Sequence, residues 1–331
     1  MIVLGIESTA HTFGVGIVDS KGHILADQRI QHRPKEGGIR PRDAAQMMSE
    51  HGAEIVKRAL DEANINMKDV DAVAFAMGPG LGPCLRTGAI VARFLAKKYN
   101  KPLVGVNHCI AHIEIGKLVQ QLQDPLVVYL SGANTQIIAL ANGRYRIFGE
   151  TLDIGLGNLL DSWGRAVGIP FPAGPKIEEL AKKGKKFIPL PYTVKGSDLA
   201  FSGLYTAAVR ATEKHDIADV AYSLQEVAFS MVAEVAERAL AHTEKEEVLL
   251  VGGVAANKRL QEIMRIMAEG HGASLHVVPM KYAADNGVMI AWTGLLMYSA
   301  GITMPLSTPI NPKFRTDQVD VIWADSENPD A

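Results

Sequence analysis

The sequence predicts an α/β protein in which one unit is written twice, giving two similar lobes. Three observations carry this. The same order of apolar strands, helices and glycine-bearing loops appears in both halves of the 331-residue chain. The central strands of each half are continuous apolar runs, as a helix-covered sheet requires. All four loops that follow those strands carry Gly, Ser, Thr or Asn.

Residues 3–9 read as an apolar strand that ends in small polar residues, and 13–18 as a second strand. Asp19-Ser20-Lys21-Gly22 is a turn with glycine at its end, and 24–29 is a third strand. The spacing predicts a helix over 44–63, with Met47, Met48, Ile55, Val56, Ala59 and Leu60 on its core face and Glu54 four residues before Arg58. A buried strand, 70–77, runs into Gly78-Pro79-Gly80-Leu81-Gly82-Pro83, and a helix follows over 87–99.

The second half repeats this order. A strand at 126–130 ends in Ser131-Gly132-Ala133-Asn134-Thr135. Strands at 136–140 and 145–149 flank Asn142-Gly143, a two-residue hairpin signal. A helix over 220–243 precedes the buried strand 248–251, which ends in Gly252-Gly253-Val254-Ala255-Ala256-Asn257, and a helix follows over 258–269. The expected lobes are 1–124 and 125–287, the second enlarged by an insertion at about 153–217. The option that a C-terminal segment, about 288–331, returns to the first lobe stays open.

Two such units imply a ligand in a cleft where the strand-end loops face one another. The pattern resembles the actin, hexokinase and chaperone-ATPase (ASKHA) architecture, whose hairpins and glycine loops wrap nucleotide phosphates. A duplicated scaffold with no ligand is the plainer alternative. Ser8-Thr9, Gly78 to Gly82, Ser131-Gly132-Ala133 and Gly252-Gly253 are the candidate phosphate loops. Each alone could be simple turn chemistry, and their matching positions in the repeat are what give them weight. No GxxxxGK[ST] motif occurs, and no dinucleotide fingerprint follows the first strand.

The chain is 47% hydrophobic and 21% charged, an ordinary globular composition with a net charge of −2. It has no polybasic coat, so RNA binding would need a local patch or partners. The candidate patch is Lys182, Lys183, Lys185 and Lys186, which reads equally well as a solvated loop or helix end. Two cysteines, Cys84 and Cys109, fit a reducing cytoplasm. No signal peptide is read at the start. The apolar stretch 288–300 is too short to span a bilayer, so no membrane role is expected.

Asn107-His108-Cys109-Ile110-Ala111-His112 follows the strand 103–106. Asn107 can cap a helix whose first turn places His108 and His112 on one face, where two imidazoles can share a metal. The helix N-terminus is expected to keep both rings neutral. Cys109 points about 100° away. Two unrelated histidines at a helix end are the bland alternative. A metalloprotease would need Glu directly after the first histidine, and Cys109 stands there. Asp285, at the start of the last long helix, is the expected third ligand, and Tyr129 would face the same cleft. A mixed N/O set suits iron, zinc or manganese.

Together, residues 5–9, 79–83, 107–112, 134–136, 153–161, 171–178, 200–203, 252–257 and 285–287 resemble one family. It holds the catalytic subunit of the archaeal and eukaryotic KEOPS complex and the similar bacterial TsaD, and was once described as an O-sialoglycoprotein endopeptidase family. The resemblance extends to about Asn311. It implies transfer of threonylcarbamoyl from threonylcarbamoyl-AMP to N6 of adenosine 37 in tRNAs that read codons starting with A, forming t6A and releasing AMP. It implies one metal, iron first, held by His108, His112, Tyr129 and Asp285. It implies contacts to the adenine nucleotide (threonylcarbamoyl-AMP, ATP or AMP) from Tyr129, Leu130, Ser131, Gly132, Ala133, Asp161, Gly174, Glu178 and Asn257. A small protein kinase subunit and other small KEOPS subunits are the implied partners, the kinase as a separate chain because Ala331 ends this one. Ala133, Ala173 and Ala283-Ala284 depart from common family residues. No general base is assigned. The competing functions are a small-molecule kinase or ATPase on the same scaffold, a nucleotide-gated scaffold and a metalloprotease.

Overall fold

The computed structural model describes residues 1–33 and 39–324. The chain divides into two compact units: Met1–Leu118 with Ala141–Tyr145 and Ala284–Ala331, and Val119–Leu140 with Arg146–Ala283. The expected returning segment 288–331 is described as far as residue 324.

The first unit opens with β1 (Ile2–Glu7), β2 (Thr12–Asp19) and β3 (Ile24–Gln31), an antiparallel meander. Then come α1 (Pro41–Ala63), β4 (Ala72–Gly78), α2 (Gly82–Tyr99), β5 (Leu103–Asn107) and α3 (His108–Gln120). The strand order is β3-β2-β1-β4-β5, with β4 parallel to both β1 and β5. Period-2 alternation gives this sheet two unlike faces. Leu4, Ile6, Phe13, Val15, Ile17, Val73 and Phe75 form one core with Met48, Ile55 and Ala59 of α1 and Ala89 and Ala92 of α2. The other face carries Gly5, Gly14, Gly16 and Ala74, so a helix can approach it closely.

The second unit begins with β6 (Leu126–Leu130), β7 (Thr135–Ala141) and β8 (Arg144–Glu150). Its insertion holds α4 (Leu156–Ala166), α5 (Gly174–Ala181), a small hairpin of β9 (Val194–Lys195) and β10 (Asp198–Leu199), and α6 (Ser202–Ala211). The long α7 (Ile217–Thr243), β11 (Glu247–Val251), α8 (Lys258–Gly270), β12 (Ser274–Val277) and α9 (Met280–Ala283) complete it. The sheet order is β12-β11-β6-β7-β8. Its core joins Val128, Leu130 and Leu250 of the sheet to Leu159 and Trp163 of α4 and Leu224, Phe229 and Val232 of α7.

The insertion is tied down by one carboxylate. Asp153 accepts the amides of Phe201 at 2.8 Å and Ser202 at 2.9 Å, along with the Ser202 hydroxyl, so it caps α6 from 48 residues away. These bonds favour its charged form, and its pKa lies below the usual value although partial burial opposes this. Asp153→Ala is expected to cost about 2 kcal/mol, the upper range for a lost cap. A lowered thermal midpoint with an unchanged circular dichroism spectrum would show it.

The first unit closes with α10 (Gly287–Ser299), which lies on the small-residue face of β1 and β2. A Cβ at Gly5 would sit 2.1 Å from the Ala291 nitrogen, and one at Gly16 2.2 Å from the Val288 nitrogen. The glycines therefore set how near α10 comes. Further along, Glu114 of α3 is buried and accepts hydrogen bonds from Tyr145 at 2.7 Å and from the Trp323 indole at 3.1 Å. This holds the C-terminal strap, residues 300–324 after α10, against the helix that carries the histidines. Among the described residues, no helix is long and apolar enough to cross a membrane.

Candidate functional site

The histidine pair is placed by a strand, a cap and a helix turn. β5 delivers Asn107, whose side-chain oxygen accepts the amides of Cys109 at 2.9 Å and Ile110 at 3.2 Å. This is the cap the sequence led us to expect, and it starts α3 at His108. One turn later comes His112, and both rings are buried, with centroids 4.7 Å apart and edge to face. Cys109 is also buried and lies outside the cluster described next.

Asp285 enters from the other end of the unit's sequence. Asn286 caps α10 by accepting the Met289 amide at 2.9 Å, which pins the residue before it. Arg29 of β3 adds a hydrogen bond to the Asp285 carbonyl at 3.2 Å. Because the glycines let α10 sit close on β1 and β2, the Asp285 carboxylate meets the histidines. Its Oδ1 lies 3.5 Å from His108 Nε2 and 3.3 Å from His112 Nε2. One potential donor atom from each residue falls within 4.8 Å of the others. Two imidazoles and a carboxylate converging from fixed elements suit a transition-metal ion.

One residue of the site escaped the sequence reading. Glu7, the last residue of β1, is fully buried, and its Oε2 lies 2.9 Å from His108 Nδ1. Its Oε1 accepts the Thr9 amide at 2.6 Å. The carboxylate thus grips the far nitrogen of the ring and leaves Nε2 for the cluster. That is the outer-sphere arrangement that orients metal-bound histidines. The observed donor set therefore fits the metal that the resemblance implies.

Glu7 also corrects an expectation. The helix N-terminus was expected to keep both rings neutral. Burial does push the His108 pKa down, but the Glu7 carboxylate outweighs it, and with a smaller pull from Asp285 sets the value at about 9. His112, with desolvation dominant, is shifted down as expected. Asp285 lies well below the usual carboxylate range: desolvation opposes its charge, but the His112 hydrogen bond and the His108 charge prevail.

Of the candidate phosphate loops, Ser8-Thr9 and Gly78 to Gly82 lie in the first unit, and the remaining positions implied by the resemblance all lie in the second. Tyr129 and Leu130 are buried at the end of β6, and Ser131, Gly132 and Ala133 form the loop that follows. This loop rests directly on the start of α4. Gly157 donates to the Ser131 carbonyl at 3.1 Å and Asn158 to the Gly132 carbonyl at 2.9 Å. A Cβ at Gly157 would lie 2.7 Å from the Ser131 oxygen, so backbone meets backbone there. Gly157→Ala is expected to push the 131–133 loop away, at a stability cost of about 1–3 kcal/mol. A thermal melt measures the cost.

Asp161 on α4 accepts the Ala173 amide at 2.8 Å, just before Gly174 opens α5. Burial raises the Asp161 pKa, against that hydrogen bond. Glu178 of α5 accepts the Lys258 amide at 2.9 Å. Next to it, Asn257 caps α8 and donates to Gln225 at 2.7 Å. The structure thus groups Asp161 with Gly174, and Glu178 with Asn257, through backbone contacts.

Comparison with known proteins follows from this geometry. The sequence matches the TsaD family, described as tRNA N6-adenosine threonylcarbamoyltransferase, over residues 23–292. It is 55% identical to the tRNA N6-adenosine threonylcarbamoyltransferase of Thermococcus kodakarensis, covering 98% of this chain and all of that one. It is 54% identical to a probable bifunctional tRNA threonylcarbamoyladenosine biosynthesis protein of Methanocaldococcus jannaschii, of which it spans 60%. In fold it is similar to T. kodakarensis HypF, with TM-score 0.68 and 16% identity over 91% of this chain and 48% of that one. It is also similar to the ROK hexokinase of Thermus thermophilus, with TM-score 0.53 and 17% identity over 90% of this chain and the whole of that one. The likeness shows the duplicated α/β fold of the ASKHA type.

Proposed function

Because the chain belongs to the tRNA N6-adenosine threonylcarbamoyltransferase family, and is thereby an acyltransferase acting on tRNA, we propose how its residues divide that work. The observation that carries the reading is the convergence of His108, His112 and Asp285, with Glu7 behind His108. The proposed donor is threonylcarbamoyl-AMP. N6 of the tRNA adenosine attacks the carbamoyl carbon, the bond to the phosphate oxygen breaks, AMP leaves with the electron pair, and the proton that N6 loses passes to solvent.

When bound, a metal supplies a Lewis acid and template for oxygen atoms of the acyl donor. His108, His112 and Asp285 would hold it, with Tyr129 added to the set by the family resemblance; iron is the first candidate, then zinc or manganese. Glu7 and Asn107 keep the two rings in place before substrate arrives. In the second unit, the loop of Ser131, Gly132 and Ala133 after Tyr129 and Leu130 offers backbone groups to the AMP portion. Asp161, Gly174, Glu178 and Asn257 contribute further polar contacts to it. Since the donor is already activated, positioning carries the rate, and this alone can supply about 7–11 kcal/mol.

The proposed setting is the cytoplasm, and the proposed partners are a protein kinase subunit and the small subunits of the KEOPS complex. The test is mass spectrometry of tRNA after incubation with threonine, bicarbonate, ATP and those partners. Threonylcarbamoyladenosine should appear only when this chain is present. Phosphoryl transfer to a sugar or carboxylic acid, with no modified tRNA, would instead favour a small-molecule kinase.

A further inference from the structure

The insertion of the second unit contains a strap that the reaction does not use. Residues 182–197 hold Lys182, Lys183, Lys185, Lys186 and Lys195 and no acidic residue, in a chain of net charge −2. The strap runs along α7 and is fastened at successive points. Gly184 packs so closely on α7 that a Cβ there would lie 2.7 Å from the Ala218 carbonyl. The amides of Lys185 and Lys186 both donate to Asp219 Oδ1, at 2.6 and 2.9 Å. Ile188 donates to the Ser223 hydroxyl at 2.7 Å. The Tyr192 hydroxyl reaches Glu234 and the Ser230 carbonyl, and Arg238 reaches the Gly196 carbonyl. From Asp219 to Arg238 the helix rises about 28 Å at 1.5 Å per residue.

The fastening uses the strap backbone and the Tyr192 hydroxyl and leaves the lysines outward. All five lysines are exposed, as are Phe187 and Tyr192. Lys182 pairs with Glu179. The nearest acid on α7, Asp219, has one oxygen committed to the two strap amides. The strap therefore presents its lysines from a backbone held at fixed points along α7. Lysines serve as point charges toward phosphates, and an exposed aromatic ring among them can stack on an unpaired base.

We propose that Lys183, Lys185 and Lys186, with Phe187 beside them, form a contact surface for the sugar-phosphate backbone of tRNA, separate from the site that holds the reacting adenosine. The proposal rests on tRNA being the substrate, and its test is kept distinct from the test of that reading. The full chain is titrated with a tRNA transcript by fluorescence anisotropy over a range of salt concentrations. The triple variant K183A/K185A/K186A should bind at least tenfold more weakly at low salt. Its slope of log affinity against log salt should be shallower by about 2, at roughly 0.7–0.9 for each phosphate that is no longer neutralised. The triple lysine-to-arginine variant should bind like wild type, and AMP affinity and the thermal midpoint should not move. Equal affinity and slope in wild type and the alanine variant overturn the proposal, as does a weakening that arginine does not restore. So does a wild-type chain that fails to bind tRNA at low salt. Failure of the functional reading would look different: wild-type protein would leave tRNA unmodified whatever its affinity.

Discussion

Replacing His108 and His112 together with alanine is expected to abolish metal binding and to reduce threonylcarbamoyl transfer by about a thousandfold or more. The Nε2 atoms of both rings point at one oxygen of Asp285. Without them, only Asp285 and the proposed Tyr129 remain, and two oxygen ligands are too few to hold a transition metal tightly. A Lewis acid at a reacting oxygen is worth several kcal/mol, and about 1.4 kcal/mol corresponds to a tenfold change in rate. The fold should survive. The rings lie at the start of α3, whose cap is Asn107 and whose anchor to the C-terminal strap is Glu114, and neither is touched by the change. The cavities cost stability, and so do the Glu7 and Asp285 carboxylates left without their buried partners, so the circular dichroism control is essential. Metal content by atomic emission, transfer by mass spectrometry of tRNA, and circular dichroism together decide the matter. A folded double variant that transfers at the wild-type rate would remove the metal from the reaction.

How much of this could be read before the structure differs by element. The central strands of both sheets announce themselves as apolar runs, and their order predicts the duplication, whereas β12, half-exposed at the end of its sheet, has no such run and is not legible. The α3 site is legible because its information is local: Asn107, His108 and His112 occupy a cap and one helix turn. Asp285 is legible as the residue before a capping Asn and a long apolar helix. Glu7 is not. It ends an apolar strand, where a carboxylate reads as the first solvated residue, and nothing in spacing ties it to a histidine 101 positions later. The same gap misled the reading of His108. A helix N-terminus disfavours a cation by about 0.3–1 kcal/mol at an exposed site, whereas a full carboxylate charge 2.9 Å away in a buried site acts far more strongly. The lysine strap lies between these cases. Its charge is plain in the sequence, but its fixation along α7 depends on Asp219, Ser223 and Arg238, which no local pattern links to it.

Glu7→Gln should change how metal binding depends on pH. The substitution preserves volume and can still hydrogen-bond His108 Nδ1, but it removes the charge. In the wild-type protein without metal, the His108 pKa is raised to about 9, so at pH 7 the ring carries a proton that an incoming metal must displace. Apparent metal affinity should therefore rise about tenfold per pH unit from pH 7 toward 9 and then level off. The same raised pKa stabilises the metal-free fold below pH 6.5, the ordinary imidazole value, and that stabilisation fades as pH passes about 9. In the variant, burial is no longer opposed by Glu7, so the ring is already neutral at pH 7 and the affinity should be nearly flat over this window. Loss of the outer-sphere carboxylate lowers the intrinsic affinity by about 10–100-fold. At pH 7 that loss is masked, because in the variant no proton has to be displaced; near pH 9 it stands in full. Competition titrations with a chelator at pH 7, 8 and 9, with proton uptake or release followed in weakly buffered solution, separate the two effects. Parallel pH slopes in wild type and variant would mean that Glu7 does not govern the His108 proton, and its place behind the ring would then be a matter of packing alone.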